Sequence, residues 1–268
     1  MRYFAVGDRV HLVDSRKRHY LLTLEVGAEF HTHVGFFGHD ALIGQPEGTT
    51  LALGRGMTYT ALHPTLEDFV LKMPRGAQVI YPKDLGPILM LADIFPGCRV
   101  LESGVGSGAL SSTMLRAGAS IVGYELREDF ANNARNNVAA FCGDVGDRYR
   151  IEMRDCYDGI DETDLDRVIL DLPEPWHVIP HAEKALHPGG IVLAYTPSIT
   201  QAAQVREAMT GSGWILTRTL EVLNRTWHIE GQSVRPDHRM VAHTGFLTTG
   251  RWIGTRAEAA SQDAAPDK

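Results

Sequence analysis

Cysteine is scarce in this chain of 268 residues, and its three copies, Cys98, Cys142 and Cys156, never form a Cys-x-x-Cys pair. An odd number at wide spacing argues against a disulfide framework and against a zinc site, so free thiols are expected. No stretch approaches the ~18 consecutive apolar residues of a membrane span, so the chain does not read as an integral membrane protein. The opening Met1-Arg2-Tyr3-Phe4-Ala5-Val6 has no basic segment leading into an apolar run, which is unlike a secretory signal and leaves a cytoplasmic location as the expectation. Positive charge is also short. With 26 Lys+Arg against 33 Asp+Glu the formal charge is -7, a balance that by itself disfavours a nucleic-acid partner.

The composition, 44% hydrophobic and 22% charged, is that of a globular protein, long enough for two domains. The charge is unevenly spread: residues 1–63 are neutral, 64–217 carry -8 and 218–256 carry +3. The acid therefore sits in the middle, and the flanks are neutral to basic.

Residues 1–63 alternate short apolar runs with glycine turns, as in Arg9-Val10-His11-Leu12-Val13 and Tyr20-Leu21-Leu22-Thr23-Leu24. That spacing predicts a small β-barrel-like or sandwich domain. Six of the 12 histidines lie here. His31-Thr32-His33 invites a metal reading, but no acidic or cysteine partner stands at ligand spacing, so no metal is expected. From Pro64 the pattern changes. Strands are predicted at Arg99 to Ser103, Ser120 to Glu125, Arg150 to Arg154, Arg167 to Asp171 and Ile191 to Thr196, with helical stretches between them. This alternation implies an α/β domain over 64–254 with a parallel sheet and helices on both faces. Trp214 to Val222 and His243 to Thr249 are expected to close the sheet as an antiparallel pair. Residues 255–268, rich in Ala and Asp, read as a disordered tail.

Four strand ends carry chemistry. Val100-Leu101-Glu102-Ser103-Gly104-Val105-Gly106-Ser107-Gly108-Ala109-Leu110 is a strand, a glycine turn and a helix start. Its glycines let a ligand approach the backbone, and the same turn also satisfies a dinucleotide pattern. Glu102 suits a cationic group better than a pyrophosphate. Glu125, ending Val122-Gly123-Tyr124-Glu125, could take both hydroxyls of a ribose, which supports a nucleoside ligand without choosing its class. Asp155 in Arg154-Asp155-Cys156 could accept from an adenine amine or could cap a turn. Asp171-Leu172-Pro173-Glu174-Pro175-Trp176 presents an acid and a flat indole on a loop stiffened by two prolines, or else is a rigid crossover with a packing Trp.

The order of these motifs, closed by Pro188-Gly189-Gly190, resembles class I S-adenosylmethionine-dependent methyltransferases, whose Rossmann-like sheet is mostly parallel with an antiparallel last strand. Pro74-Arg75-Gly76-Ala77-Gln78-Val79-Ile80-Tyr81-Pro82-Lys83-Asp84 and the Asp171 motif narrow the resemblance. So does the ending, Arg235-Pro236-Asp237-His238-Arg239-Met240 with His243-Thr244-Gly245-Phe246-Leu247. The chain is similar, to about Trp252, to the TrmI family of tRNA (adenine-N1)-methyltransferases acting on adenosine 58 of the T-loop. That resemblance implies a homotetramer that uses S-adenosylmethionine and tRNA. It places Ile80, Glu102, Gly104, Gly106, Ser107, Gly108, Ala109 and Leu110 along the donor, Glu125 at its ribose, and Asp155 and Cys156 at its adenine. Phe130 stands where some relatives carry an Arg that reaches the cofactor. Asp171 is implied as the catalytic residue that orients the target adenine and also lies beside the donor, with Tyr81 and Tyr195 as pocket walls. Core packing is the alternative role for both, an equal one for Tyr81 and a weaker one for Tyr195 at its strand end. Arg16-Lys17-Arg18, Arg218, Arg225, Arg235 and Arg239 are the candidate RNA contacts. The competing expectations are a methyltransferase for a small molecule or protein carboxylate, a non-catalytic tRNA-binding partner subunit, and a dinucleotide dehydrogenase.

Overall fold

The computed structural model describes residues 2–54, 56–76 and 78–254; the expected tail, 255–268, lies outside the described residues. The chain divides into two compact units, one ending at Met73 and the other starting at Pro74.

In the first unit the strands are β1 (Arg9–Asp14), β2 (His19–Thr23), β3 (Glu29–Thr32), β4 (Gly35–Gly38), β5 (Thr50–Leu53) and β6 (Met57–Leu62), followed by α1 (Leu66–Lys72). The strand β6 alternates buried and half-buried residues along its whole length, the period-two pattern of a strand with one face on a core. The sheet runs β2-β1-β6-β5 and β3 pairs only with β4. It therefore has free edges at β2 and β5, and the expected barrel is not closed by hydrogen bonds among the described residues. The hairpin packs its Phe30 and Phe37 rings against Tyr59 of the sheet, and Phe30 also meets Tyr20 edge-on. This unit runs ten residues past the expected boundary at residue 63. Phe69 of α1 lies under the Arg9 guanidinium, 5.4 Å from it, and Asp68 reaches His11.

In the second unit come α2 (Pro82–Leu91), β7 (Arg99–Ser103), α3 (Ala109–Arg116), β8 (Ser120–Glu125), α4 (Glu128–Cys142), β9 (Tyr149–Met153), β10 (Leu165–Leu170), α5 (Ile179–Ala185), β11 (Leu186–Thr196), α6 (Ile199–Ala208), β12 (Trp214–Glu221), β13 (Trp227–Glu230), β14 (Ser233–Pro236) and β15 (Phe246–Trp252). The seven-stranded sheet is ordered β12-β15-β11-β10-β7-β8-β9. The pairs β9/β8, β8/β7, β7/β10 and β10/β11 are parallel, while β15 is antiparallel to both β11 and β12. The chain winds outward from β7 to β9 and then returns to the other side of β7 as β10. That reversal opens a crevice at the carboxyl ends of β7 and β10, where ligands bind in sheets of this kind. The central strands are apolar on both faces because helices cover both: Leu101, Val168, Ile169, Leu170, Val192 and Ala194 are all buried. Between β12 and β15 the chain leaves the sheet and forms the β13–β14 hairpin, which the sequence reading did not separate from the surrounding basic segment.

Candidate active site

At the end of β7 the glycine turn is shaped by contacts that exclude side chains. Gly104, Gly106 and Gly108 have φ of +84°, +56° and +78°, backbone angles that L-residues with a Cβ rarely adopt. A Cβ on Gly104 would overlap the carbonyl oxygen of Asp171, and one on Gly108 would lie 3.1 Å from Ala134 Cα of α4. The Asp171 amide in turn donates to Ser103 O at 2.9 Å. The turn therefore clamps β7 to the end of β10 and brings the Asp171 backbone against the glycine loop.

Three carboxyls gather here. Glu125 accepts from the Gly106 amide at 3.0 Å through Oε2, and from the Leu126 and Arg127 amides at 2.9 and 3.0 Å through Oε1. It is thereby fixed between the tip of β8 and the loop. Glu102 is 1% exposed, accepts from Ser111 Oγ at 2.6 Å through Oε2, and has no partner on Oε1. Burial pushes its carboxyl up to about 8 against the Ser111 hydrogen bond, and the charges of Asp171 and Glu125 add to the rise. Asp171 is half-buried, and desolvation with the neighbouring Glu125 pushes it up to about 7. A buried carboxyl oxygen without a partner, in a cluster of three acids at one crevice, is a poor place for an anion and a good one for a cation. These residues fit S-adenosylmethionine, whose amino-acid ammonium and sulfonium are both positive.

The other expected donor contacts divide. Ala109, Leu110 and Ile80 are buried, and Ser107 is buried with an unpartnered hydroxyl. Asp155 spends one carboxylate oxygen on the Tyr157 amide at 2.9 Å, so it makes the turn contact that was its alternative reading and keeps its second oxygen. Cys156 is buried in the sheet core, where desolvation raises its thiol. Phe130 packs near Gly76, and the Arg127 guanidinium stacks on its ring at 3.8 Å. Trp176 packs against the core and donates to His177 Nε2 at 3.0 Å.

A second group forms beside α2 and β15. A cavity of about 420 Å³ is lined by Gln78, Tyr81, Met240, Val241, Ala242, His243 and Thr244. The Tyr195 hydroxyl donates to Thr244 O at 2.8 Å, and burial pushes its phenol up to about 12, with the charges of Asp84, Asp171 and Tyr81 adding to the rise. Tyr195 therefore lies within reach of the charges of Asp84, Asp171 and Tyr81, and Tyr81 lines the cavity. Sequence reading missed what holds them. Thr244 and Lys83 both bond Asp84, and only the adjacency of Lys83 and Asp84 was visible along the chain.

Of the candidate RNA contacts, Arg18 is committed to the buried Asp14, with Nε 2.6 Å from Oδ2. Arg16, Lys17, Arg218, Arg225, Arg235 and Arg239 are exposed. His31 pairs instead with Glu29 at 2.9 Å. His11, His19 and Asp68 do cluster in the first unit. His11 turns Nε2 to His19 at 2.8 Å and Nδ1 to Asp68 at 3.3 Å, and one ligand atom from each of the three lies within 4.8 Å of the others, a grouping of metal-ligating side chains that the expectation of no metal did not foresee.

Two family models match this chain: one described as tRNA methyltransferase complex GCD14 subunit over residues 56–244, the other as TrmI-like N-terminal over residues 3–51. The chain is 36% identical over 245 residues to the tRNA (adenine(58)-N(1))-methyltransferase TrmI of Thermus thermophilus, covering 90% of this chain and 96% of the relative. It is 32% identical to the tRNA (adenine(57)-N(1)/adenine(58)-N(1))-methyltransferase TrmI of Methanocaldococcus jannaschii, covering 90% and 93%. Two crystal structures share the fold. One is a SAM-dependent O-methyltransferase from Thermotoga maritima, with TM-score 0.89, 32% identity, and 94% and 96% covered. The other is the tRNA (m1A58) methyltransferase TrmI from Aquifex aeolicus, with TM-score 0.83, 27% identity, and 95% and 100% covered.

Proposed function

Because the chain belongs to the family of TrmI and GCD14 tRNA methyltransferases, we propose that it methylates N1 of adenosine 58 in tRNA with S-adenosylmethionine as donor. The observation that carries this reading is the Asp171 side chain. It belongs to the acid cluster at the crevice, lies close enough to Tyr195 for its charge to act on the phenol, and accepts no hydrogen bond from the described residues. The donor supplies a sulfonium methyl for in-line displacement; the rest of the work falls to the chain. Glu102 would hold the cationic amino-acid end, Glu125 the ribose hydroxyls, and the free oxygen of Asp155 the adenine amine. Gly104, Gly106 and Gly108 would line the donor without side chains.

Adenine N1 carries its own lone pair, so the target needs position more than a strong base. The Asp171 carboxylate would accept from the exocyclic N6 amine, fix the ring, and stabilise the positive charge that develops on the base. Tyr81 and Tyr195 would flank the extruded base. Extrusion costs a few kcal/mol, which contacts from exposed arginines to tRNA phosphates would offset. We read the active form as a cytoplasmic homotetramer; light scattering on the purified protein checks the assembly.

A carboxyl that titrates near 7 would also suit a base for a hydroxyl nucleophile, the chemistry in the Thermotoga protein's name. The deciding experiment supplies labelled donor to a tRNA transcript carrying A58 and to its A58→G counterpart, and identifies the methylated nucleoside. N1-methyladenosine from the first alone is expected. Equal labelling of both transcripts would end the proposal, and a ribose-methylated product would favour the oxygen chemistry. Asp171→Asn keeps the shape and removes the charge. It should lower kcat about 100-fold or more while S-adenosylhomocysteine still binds.

A further inference from the structure

The wall of the cavity that carries Tyr81 and Thr244 is held by side chains from three distant parts of the chain. Lys83 Nζ donates to Asp84 Oδ1 at 2.8 Å and to Val222 O, just past β12, at 2.6 Å. Thr244 Oγ1 donates to the other oxygen, Asp84 Oδ2, at 2.6 Å. The Thr244 carbonyl then accepts from the Tyr195 hydroxyl at 2.8 Å. Beside it, a Cβ on Gly245 would overlap the Tyr195 ring, so the ring lies directly on the backbone there. His243 adds a second anchor, with Nδ1 2.7 Å from Glu221 Oε1 and Nε2 2.8 Å from Pro197 O.

The Lys83 and Asp84 side chains are 3% and 0% exposed, which makes theirs the one ion pair among the described residues with both side chains buried. A buried ion pair contributes little net stability for what its desolvation costs, and where one is kept it can serve to fix a single arrangement. Here both carboxylate oxygens of the pair are satisfied, and its outward bonds end on Thr244, which lines the cavity, and on Val222 at the other stem of the 223–243 excursion. None of them reaches the glycine loop or the three donor carboxyls.

We propose that Lys83, Asp84 and Thr244 are positioning residues for the methyl-accepting base. They hold the 242–245 segment and, through the Thr244 carbonyl, the Tyr195 ring as a preformed wall against which the extruded adenine seats. The inference rests on the reading of this cavity as the target-base pocket. It assigns a task to three side chains that do not touch the reacting atoms, and it separates their effect from donor binding. A loosened wall leaves the donor in place and misaligns N1, so the loss falls on kcat with tRNA.

The test uses the full chain, A58 tRNA and saturating donor. Thr244→Val, close in shape and lacking the hydroxyl, should lower kcat roughly 10- to 100-fold, the scale of an ångström-sized misplacement. Its S-adenosylhomocysteine affinity should stay within about twofold of the parent. Thr244→Ser, which returns the hydroxyl, should recover most of the rate. The proposal is overturned if Thr244→Val turns over at the parent rate, if Thr244→Ser is as impaired as Thr244→Val, or if donor-product affinity falls in step with kcat. Should Thr244→Val fail to fold, Thr244→Ala against Thr244→Ser makes the same comparison. Tyr195→Ala separates the two levels. An active Tyr195→Ala enzyme removes the pocket reading itself. An inactive one beside a fully active Thr244→Val enzyme removes only the positioning role.

Discussion

Glu102 and Asp171 are carboxyls that the ligand-free protein holds protonated further up the pH scale than water would. Both are raised in the fold, to about 8 and about 7, from ordinary values of 4.5 and 3.8. The stability they contribute is therefore fully present below the unfolded values and is lost as pH rises through 7 to 8. The melting temperature of the ligand-free protein should fall between pH 5.5 and 8.5, and Glu102→Gln should flatten that slope. His187 and His243 are also raised, by Asp166 and Glu221 respectively, and act in the same direction, so the comparison with Glu102→Gln isolates the acid cluster. A cationic donor reverses the logic because it favours the ionised carboxyls. Binding of S-adenosylmethionine at pH 7 should release protons, visible as a dependence of the calorimetric heat on the buffer's ionisation enthalpy; no dependence would mean that the acids are already ionised. Two glycines give a second residue-scale contrast. Gly27 (φ +74°) has nothing within 4 Å of a built Cβ, whereas at Gly104 (φ +84°) a Cβ meets the Asp171 backbone. Gly27→Ala should cost about 1–2 kcal/mol of stability and no activity, while Gly104→Ala should abolish donor binding, as measured by thermal shift with S-adenosylhomocysteine.

At the scale of elements, α1 shows how a short helix is stabilised. Thr65 and Asp68 form a reciprocal capping box, and Asp68 also meets His11 of β1. Thr65→Ala should cost about 1 kcal/mol, seen as faster hydrogen exchange in α1 with the rates in β7 and β10 unchanged. The same helix explains where sequence reading stopped short. Its proline start and helical spacing are local and were legible, but its membership of the first unit depends on Arg9 and His11, more than fifty residues earlier. The central strands β7, β8 and β10 were legible because burial on both faces leaves short apolar runs that lead into Glu102, Glu125 and Asp171. The β13–β14 hairpin was not, because Trp227, Ile229 and Val234 are 58%, 72% and 61% exposed and no contrast between a buried and a wet face marks the strands. Glu102, Glu125 and Asp171 were candidates because they end strands that the parallel topology brings to one crevice. Thr244 stands out in the sequence only as part of a motif, since nothing local says that its hydroxyl meets a carboxylate 160 residues away.

For the whole molecule, the charge total is a poor guide to partners and its distribution a better one. The acid lies in the segment that carries the three-carboxyl crevice, and residues 218–256 are basic. Affinity for tRNA should fall with salt, by about 0.7–0.9 in log affinity per log salt for each phosphate neutralised. Arg225→Ala combined with Arg239→Ala should reduce that slope and leave S-adenosylhomocysteine binding unchanged. An unchanged slope would take these arginines off the RNA surface.

The link from Lys83 to Val222, together with that from Asp84 to Thr244, has a consequence for how this protein can change. Residues 223–243 leave the sheet and return to it between two stems that are tied to the same pair of side chains. An excursion closed at its base is thermodynamically insulated. Lengthening it alters the chain entropy only logarithmically, at about 0.6 kcal/mol per doubling of the loop. The β13–β14 hairpin, which contributes none of the residues that line the cavity, is thus a replaceable module: it can be extended, shortened or exchanged for another sequence while the wall formed by residues 240–245 keeps its shape.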